Sequence, residues 1–257
     1  MLGVLGALMQ EVEGLREGLH LRELARPLSG RLFTGDCSGE EIIVAQTGMG
    51  RARAEAVTRL LLDRYPLTAL ICVGFGGALS PCLKAGDIVL CHQLRCLTHA
   101  PDPPLLADAR LLQATDSARG GMKGQAQIVV GGGITADRLI TEPKEKKALG
   151  ESFASIVVDM ESYWVARLAK DKGLPFFAIR AISDEMTFPL PALAQFYDAE
   201  RGWDLGKSIL HFLAYPNEAI LLPYVYRHVR RAQESLAHFL LAALPHLTSK
   251  AMSGGTA

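Results

Sequence analysis

Ala69-Leu-Ile-Cys-Val-Gly-Phe-Gly-Gly-Ala78 sets an unbroken apolar run directly before the glycines of Gly74-x-Gly-Gly. Such a run suits a strand covered on both faces, since neither side needs polar residues for water. The spacing predicts a strand over Ala69–Val73, followed by glycines that permit close backbone approach to a ligand. Further strands are expected at Leu2–Gly6, Arg31–Asp36, Ile42–Thr47, Asp87–Cys91, Gln127–Val130, Ser155–Val158 and Phe176–Ile182. Helical periodicity falls at Met9–Glu17, Arg51–Arg64, Leu105–Ala118, Glu142–Leu149, Met160–Lys172 and from about Leu190 onward. This alternation predicts an α/β fold, a mixed sheet with helices on both faces.

Composition narrows the function. Hydrophobic residues make up 49% and charged residues 21% of the 257, a globular balance large enough to bury a core without staples. Lys+Arg and Asp+Glu both number 27, so no basic surface for nucleic acid is expected. The five cysteines include no CxxC pair, which fits a reducing cytoplasm better than a disulfide framework or a zinc site. No metal or other cofactor is expected, and His92 and His99 lack carboxylates at ligand spacing. Leu2-Gly-Val-Leu-Gly6 has no basic segment before it and leads to Glu11 and Glu13, so no signal peptide is expected. No stretch reaches the ~18 apolar residues of a spanning helix.

Several segments have ordinary readings. Gly131-Gly-Gly133 is expected to be a flexible loop and Lys144-Glu-Lys-Lys147 a solvated helix face. The tail Met252–Ala257 is expected to fray, and His99–Pro104 is too short to link domains. Residues 218–248 carry Tyr224, Tyr226, Arg227, His228, Arg230 and Arg231 among apolar residues. That is a basic amphipathic helix, suited to packing on the domain or a second subunit, or to lying on a membrane.

Chemistry-bearing residues gather where strands end: Gly6-Ala-Leu-Met-Gln-Glu11, Asp159-Met-Glu161 and Arg180-Ala-Ile-Ser-Asp184. In open α/β sheets the ligand cleft lies beyond the carboxyl ends of strands. Cleaving an N-glycosidic bond needs an acid for the leaving base, a carboxylate for the ribose hydroxyls and a third to activate water. Glu11, Glu161 and Asp184 would supply that set. Each also has a plain alternative: a helix-start charge for Glu11 and Glu161, a turn or cap for Asp184. The GxGG spacing is neither a dinucleotide fingerprint nor a P-loop.

Taken together, five ordered motifs carry a family resemblance. They are Gly6–Glu11, Thr47-Gly-Met-Gly-Arg-Ala-Arg-Ala54, Gly74-Phe-Gly-Gly with Leu83-Lys-Ala-Gly-Asp-Ile-Val89, Val158-Asp-Met-Glu-Ser162 and Arg180–Asp184. Across residues 1–213 the chain resembles the purine nucleoside phosphorylase/uridine phosphorylase superfamily, in its 5′-methylthioadenosine/S-adenosylhomocysteine nucleosidase branch. The resemblance implies a three-layer α/β/α sandwich around a central mixed sheet, and a homodimer or larger homo-oligomer with sites near subunit contacts. It implies catalytic Glu11 for water activation, Asp184 for protonating purine N7, and Arg180 orienting the carboxylates. Met160 and Glu161 would contact the ribose, Gly76 and Phe75 would line the site, and Leu139 and Ile140 would meet the adenine. Arg51 and Arg53 are the candidates for a phosphate or other anion.

Departures from the pattern favour water over phosphate. Cys72 stands where phosphorylases carry an Arg, Phe75 where many members carry Ser, and Leu139 where an aromatic residue is common. The nucleosidases usually end soon after the helix following Asp184, whereas Leu210–Pro216, Leu222–Val225 and Arg230–Leu236 continue this chain. That layout resembles the hopanoid-associated phosphorylases, which implies removal of adenine from adenosylhopane by hydrolysis or phosphorolysis. The expected division is a catalytic domain over 1–217 and a helical extension over 218–257, the latter offering peripheral contact to the inner face of the membrane. Two other readings stay open: a 5′-methylthioadenosine/S-adenosylhomocysteine nucleosidase, and a non-catalytic nucleoside-binding module.

Overall fold

The computed structural model describes residues 1–25, 30–99, 102–120, 126–188, 197–198, 202–203 and 221–248. The first half contains β1 (Leu2–Gly6), α1 (Met9–Gly18), β2 (Arg22–Ala25), β3 (Arg31–Cys37), β4 (Glu40–Gln46) and α2 (Arg51–Arg64). The central strands β5 (Ala69–Ala78) and β6 (Ile88–Cys96) follow, then β7 (Leu105–Leu106), α3 (Ala109–Ala114) and α4 (Asp116–Arg119). The second half holds β8 (Ile128–Thr135), α5 (Pro143–Phe153), β9 (Val157–Asp159), α6 (Ser162–Asp171) and β10 (Phe176–Asp184). A two-stranded ribbon, β11 (Tyr197–Asp198) with β12 (Gly202–Trp203), precedes the final helix α7 (Leu222–Leu247).

The result is the expected α/β architecture with a mixed sheet. Strand β1 lies parallel to both β4 and β5, and β5 lies parallel to β10. Antiparallel pairings join β10 to β6 and β5 to β9. Because β6, β8 and β9 also pair in turn, the strands β5, β10, β6, β8 and β9 close into a ring, while β1, β4, β3 and β2 extend from it.

Alternation along the strands feeds two cores. Ala69, Ile71 and Val73 of β5, with Leu2, Val4, Ile42, Val44, Phe177 and Ile179, pack toward Val12 and Leu15 of α1 and the apolar side of α7. Leu70 and Cys72, with Leu5, Ile43, Ala45, Phe176 and Ala178, pack toward α2 and α6. Each fully buried Leu, Ile or Val is worth about 1.5–3 kcal/mol, so both faces of β5 hold helices firmly. Helix α7 buries Ala232, Leu236, Phe239, Leu240, Ala243, Leu244 and Leu247, and shares its core cluster with the central strands.

Four local expectations are corrected. Gly131-Gly-Gly133 is no loop; it lies inside β8, where a Cβ on Gly131 would run into Ile156 and one on Gly133 would meet Leu94 at 2.9 Å. The helix expected over Leu105–Ala118 is broken: Leu105 and Leu106 pair with β6, and Asp108 then starts α3 by accepting from the Arg110 and Leu111 amides. The glycines after Val73 continue β5 to Ala78 instead of ending it. Lys144 and Lys147 are solvated as expected, but Lys146 between them is fully buried. Residues 190–220 outside the ribbon, Ala100, Pro101 and the tail 252–257 lie outside the described residues. Among the described residues, no helix is long and apolar enough to cross a membrane.

Candidate active site

The site forms at the carboxyl ends of β1, β9 and β10, around the side chain of Arg180. Strand pairing places Arg180 beside Gly74 and Asp184 beside Gly77. Gly74 has no side chain, and a Cβ there would collide with the Arg180 guanidinium and lie 2.7 Å from Glu11 Oε1. The glycine is therefore the gap through which a cation and a carboxylate face each other.

Glu11 is buried in the first turn of α1 and turns back onto the chain that precedes it. The Ala7 and Leu8 amides donate to its Oε2 at 2.6 and 2.8 Å, and the Phe75 amide donates to Oε1 at 2.8 Å. The helix-start reading therefore holds, and the same carboxylate also faces Arg180 across Gly74. Burial pushes its carboxyl above the usual range, against the pull of Arg180 and the three amides.

Arg180 is 1% exposed and donates in several directions. Its Nε lies 2.7 Å from Asp159 Oδ2, and Nε and Nη2 donate to Ser162 Oγ at 3.0 and 2.6 Å. Nη2 also meets Cys72 Sγ at 3.1 Å. Burial raises the Cys72 thiol to about 12, so this sulfur is a neutral neighbour to Arg180. Asp159 is fixed in turn by Thr135 Oγ1 at 2.6 Å and by the amides of Glu161 and Ser162.

Glu161 starts α6, buried, with the Gly50 amide donating to Oε1 at 2.7 Å. Its carboxyl is raised to about 7, first by burial, with Arg180 pulling it down and Asp159 and Glu11 adding like charge. Asp184 follows an irregularity in β10 at Ile182–Asp184, which turns its side chain over Gly77. Ser183 Oγ donates to Asp184 Oδ1 at 2.8 Å, and the Lys146 ammonium donates to Oδ2. An open cleft of roughly 260 Å³, its mouth included, is lined by Asp184, Met160, Leu139, Ile140, Arg138 and Gly77, among others.

A family model described as the phosphorylase superfamily matches residues 1–205. The chain belongs to the phosphorylase superfamily. Within this superfamily, the 5′-methylthioadenosine/S-adenosylhomocysteine nucleosidase of Bacillus subtilis is 30% identical over 197 residues, 71% of this chain and 85% of its own. Two solved structures share the fold. The nucleosidase of that name from Neisseria meningitidis, bound to methylthio-immucillin-A, has a TM-score of 0.74 at 20% identity, covering 95% of this chain and 98% of its own. The futalosine hydrolase of Helicobacter pylori has a TM-score of 0.67 at 19% identity, covering 93% and 96%.

The fold brings together most of the residues singled out from sequence. Asp184, Met160, Leu139 and Ile140 share the cleft, with Leu139 at 36% exposure and Ile140 buried. Glu11 and Glu161 both act electrostatically on Arg180. Phe75 holds Glu11 through its amide, and Gly76 lies against Val157, the Val158 carbonyl and the Arg180 side chain. Arg51 is engaged elsewhere: its guanidinium sits 3.9 Å from the Trp164 ring centre and its Nε 2.8 Å from Glu55. Arg53 folds over Gly48, close in sequence to the Gly50 amide that holds Glu161.

Four residues at this site had no role assigned from sequence: Asp159, Ser162, Ser183 and Lys146. A signal existed for Lys146. It lies three residues before the buried Leu149 on α5, on the face where an apolar residue belongs. Asp159 and Ser162 stood within a quoted motif, but their link to Arg180 depends on β9 and β10 meeting across β5.

Proposed function

We propose that the chain hydrolyses the N-glycosidic bond of an adenine nucleoside, with Asp184 as acid, Glu161 on the ribose and Glu11 on the attacking water. The observation that carries this reading is that Glu11, Asp159 and Glu161 are buried around one buried arginine, with Asp184 on the wall of an adjoining cleft. As the bond to the base lengthens, positive charge grows on the ribose and negative charge on the purine. Asp184, on the cleft wall, gives N7 its proton. Met160 and Ile140 confine the nucleoside, while Leu139 and Ile140 meet the base. Glu161 accepts from the ribose hydroxyls, and Glu11 takes the proton of the water that attacks the sugar. Arg180 holds Glu11, Glu161 and Asp159 in register without touching substrate.

Cys72 supports water over phosphate, because a buried neutral thiol offers an anion no charge. Arg51 and Arg53 are the cations to which a phosphate would turn under the phosphorolytic alternative. Adenine release measured with and without phosphate tests this directly. Equal release with free sugar product is expected; strict phosphate dependence with a sugar 1-phosphate product would reverse the assignment. Glu11→Gln should lower kcat by on the order of 10²-fold with little change in KM.

For the 5′ substituent, the relatives support a small thio-substituted adenosine. A second reading, adenosylhopane, draws on the start of α7: Tyr224 and Tyr226 are 50% and 68% exposed, and the His228 ring lies tilted against Phe188, four residues past Asp184. Under it, these aromatics would receive the triterpenoid at the membrane's inner face. Since α7 is part of the core, deletion is a poor probe. Tyr224→Ala/Tyr226→Ala should lower release from a micellar lipid-linked nucleoside and spare methylthioadenosine; equal effects on both would discard the lipid reading. We also place the enzyme in the cytoplasm as a homodimer or larger assembly, which sedimentation would check.

A further inference from the structure

Lys146 projects from α5 with no exposed surface, and its ammonium donates to Asp184 Oδ2 and, at 3.2 Å, to the Glu185 carbonyl. A buried ammonium is costly unless paired, and this one is paired with the side chain that faces the cleft. The neighbouring carboxylate does not compete for it. Glu185 is taken up by Lys84 Nζ at 3.1 Å and by the Ala85 amide at 3.4 Å. The other oxygen of Asp184 accepts from Ser183 Oγ, a hydroxyl free to rotate. Asp184 thus stands between a proton-bearing group sealed from solvent and the cleft where a base would lie.

We propose that Lys146 supplies, through Asp184, the proton that the departing purine takes up. The inference rests on the hydrolase reading above and adds a positioning residue to it. As the glycosidic bond breaks, its electron pair passes to the purine. An ammonium proton of Lys146 moves onto the Asp184 carboxylate and on from it to N7, leaving a neutral amine beside an ionised Asp184. Meanwhile Glu11 gains one proton from the attacking water. One proton is therefore given at Lys146 and one taken at Glu11 in each turnover. When neutral adenine leaves and water enters the cleft, exchange with solvent restores both groups.

The test measures kcat and KM for adenine release by the wild type, Lys146→Met, Asp184→Asn and the double variant, with a thermal melt of each. Lys146→Met should lower kcat by about 10²-fold while KM stays within about threefold, since the loss is of acid catalysis and not of binding. In the double variant kcat should lie within about threefold of Asp184→Asn alone, because Lys146 acts through Asp184 and the two losses do not multiply. A Lys146→Met enzyme less than about tenfold impaired, or a double variant carrying both losses multiplied, would overturn the proposal. If Lys146→Met does not fold, the comparison of Asp184→Asn with the double variant, which removes both buried charges together, decides alone. A wild type that releases no adenine from an adenine nucleoside would instead defeat the hydrolase reading, a separate result.

Discussion

Glu161 is the carboxylate on which pH bears most directly. Its carboxyl is raised from 4.5 to about 7, chiefly by burial, and Glu11 is raised in the same direction. A carboxyl raised on folding binds its proton more tightly in the folded chain than in the unfolded one. Its contribution to stability is then full below the unfolded value and is lost as pH rises through the folded value. The free protein should therefore lose stability between about pH 4.5 and about pH 7, and Glu161→Gln should flatten that decline. Denaturant melts at a series of pH values check this; an unchanged slope in the variant would remove Glu161 as its source. Activity should run the other way, because only the ionised carboxylate accepts fully from two ribose hydroxyls. The kcat/KM of the wild type is expected to climb through about pH 7.

At the scale of elements, β5 and β8 show why glycine runs resist reading from sequence. A strand and a loop both tolerate glycine, and the choice depends on what crosses beside it. On β8 the neighbours are Ile156 and Leu94; on β5 they are Arg180 and Glu11. Gly74→Ala is expected to force those two side chains apart, costing about 1–3 kcal/mol and most of the activity. Thermal melts and kcat measure the two losses, and a fully active Gly74→Ala enzyme would mean the guanidinium and carboxylate have other room. Helix α7 makes the complementary point. Its basic and aromatic residues draw the eye, yet its apolar side closes the core against α1 and β10. Phe239→Ala, at a site with no exposure, should cost about 3–5 kcal/mol in urea titrations. A cost under ~1 kcal/mol would make α7 a separable appendage.

Across the whole molecule, the strand candidates and the order of the motifs fixed the fold class and singled out three carboxylates as candidates. Apolar runs and strand-end polar residues are local properties, written in neighbouring positions and so visible without coordinates. The ring formed by β5, β10, β6, β8 and β9 is not local: it joins strands from residue 69 to residue 184. That closure brings Asp159 and Ser162 onto Arg180, and docks α5 so that Lys146 reaches Asp184. Residue types and their order thus name the side chains able to do acid and base chemistry. Which charges share one buried space is set by packing, because a lysine's solvation depends on what lies against its helix and not on the residues beside it in the chain.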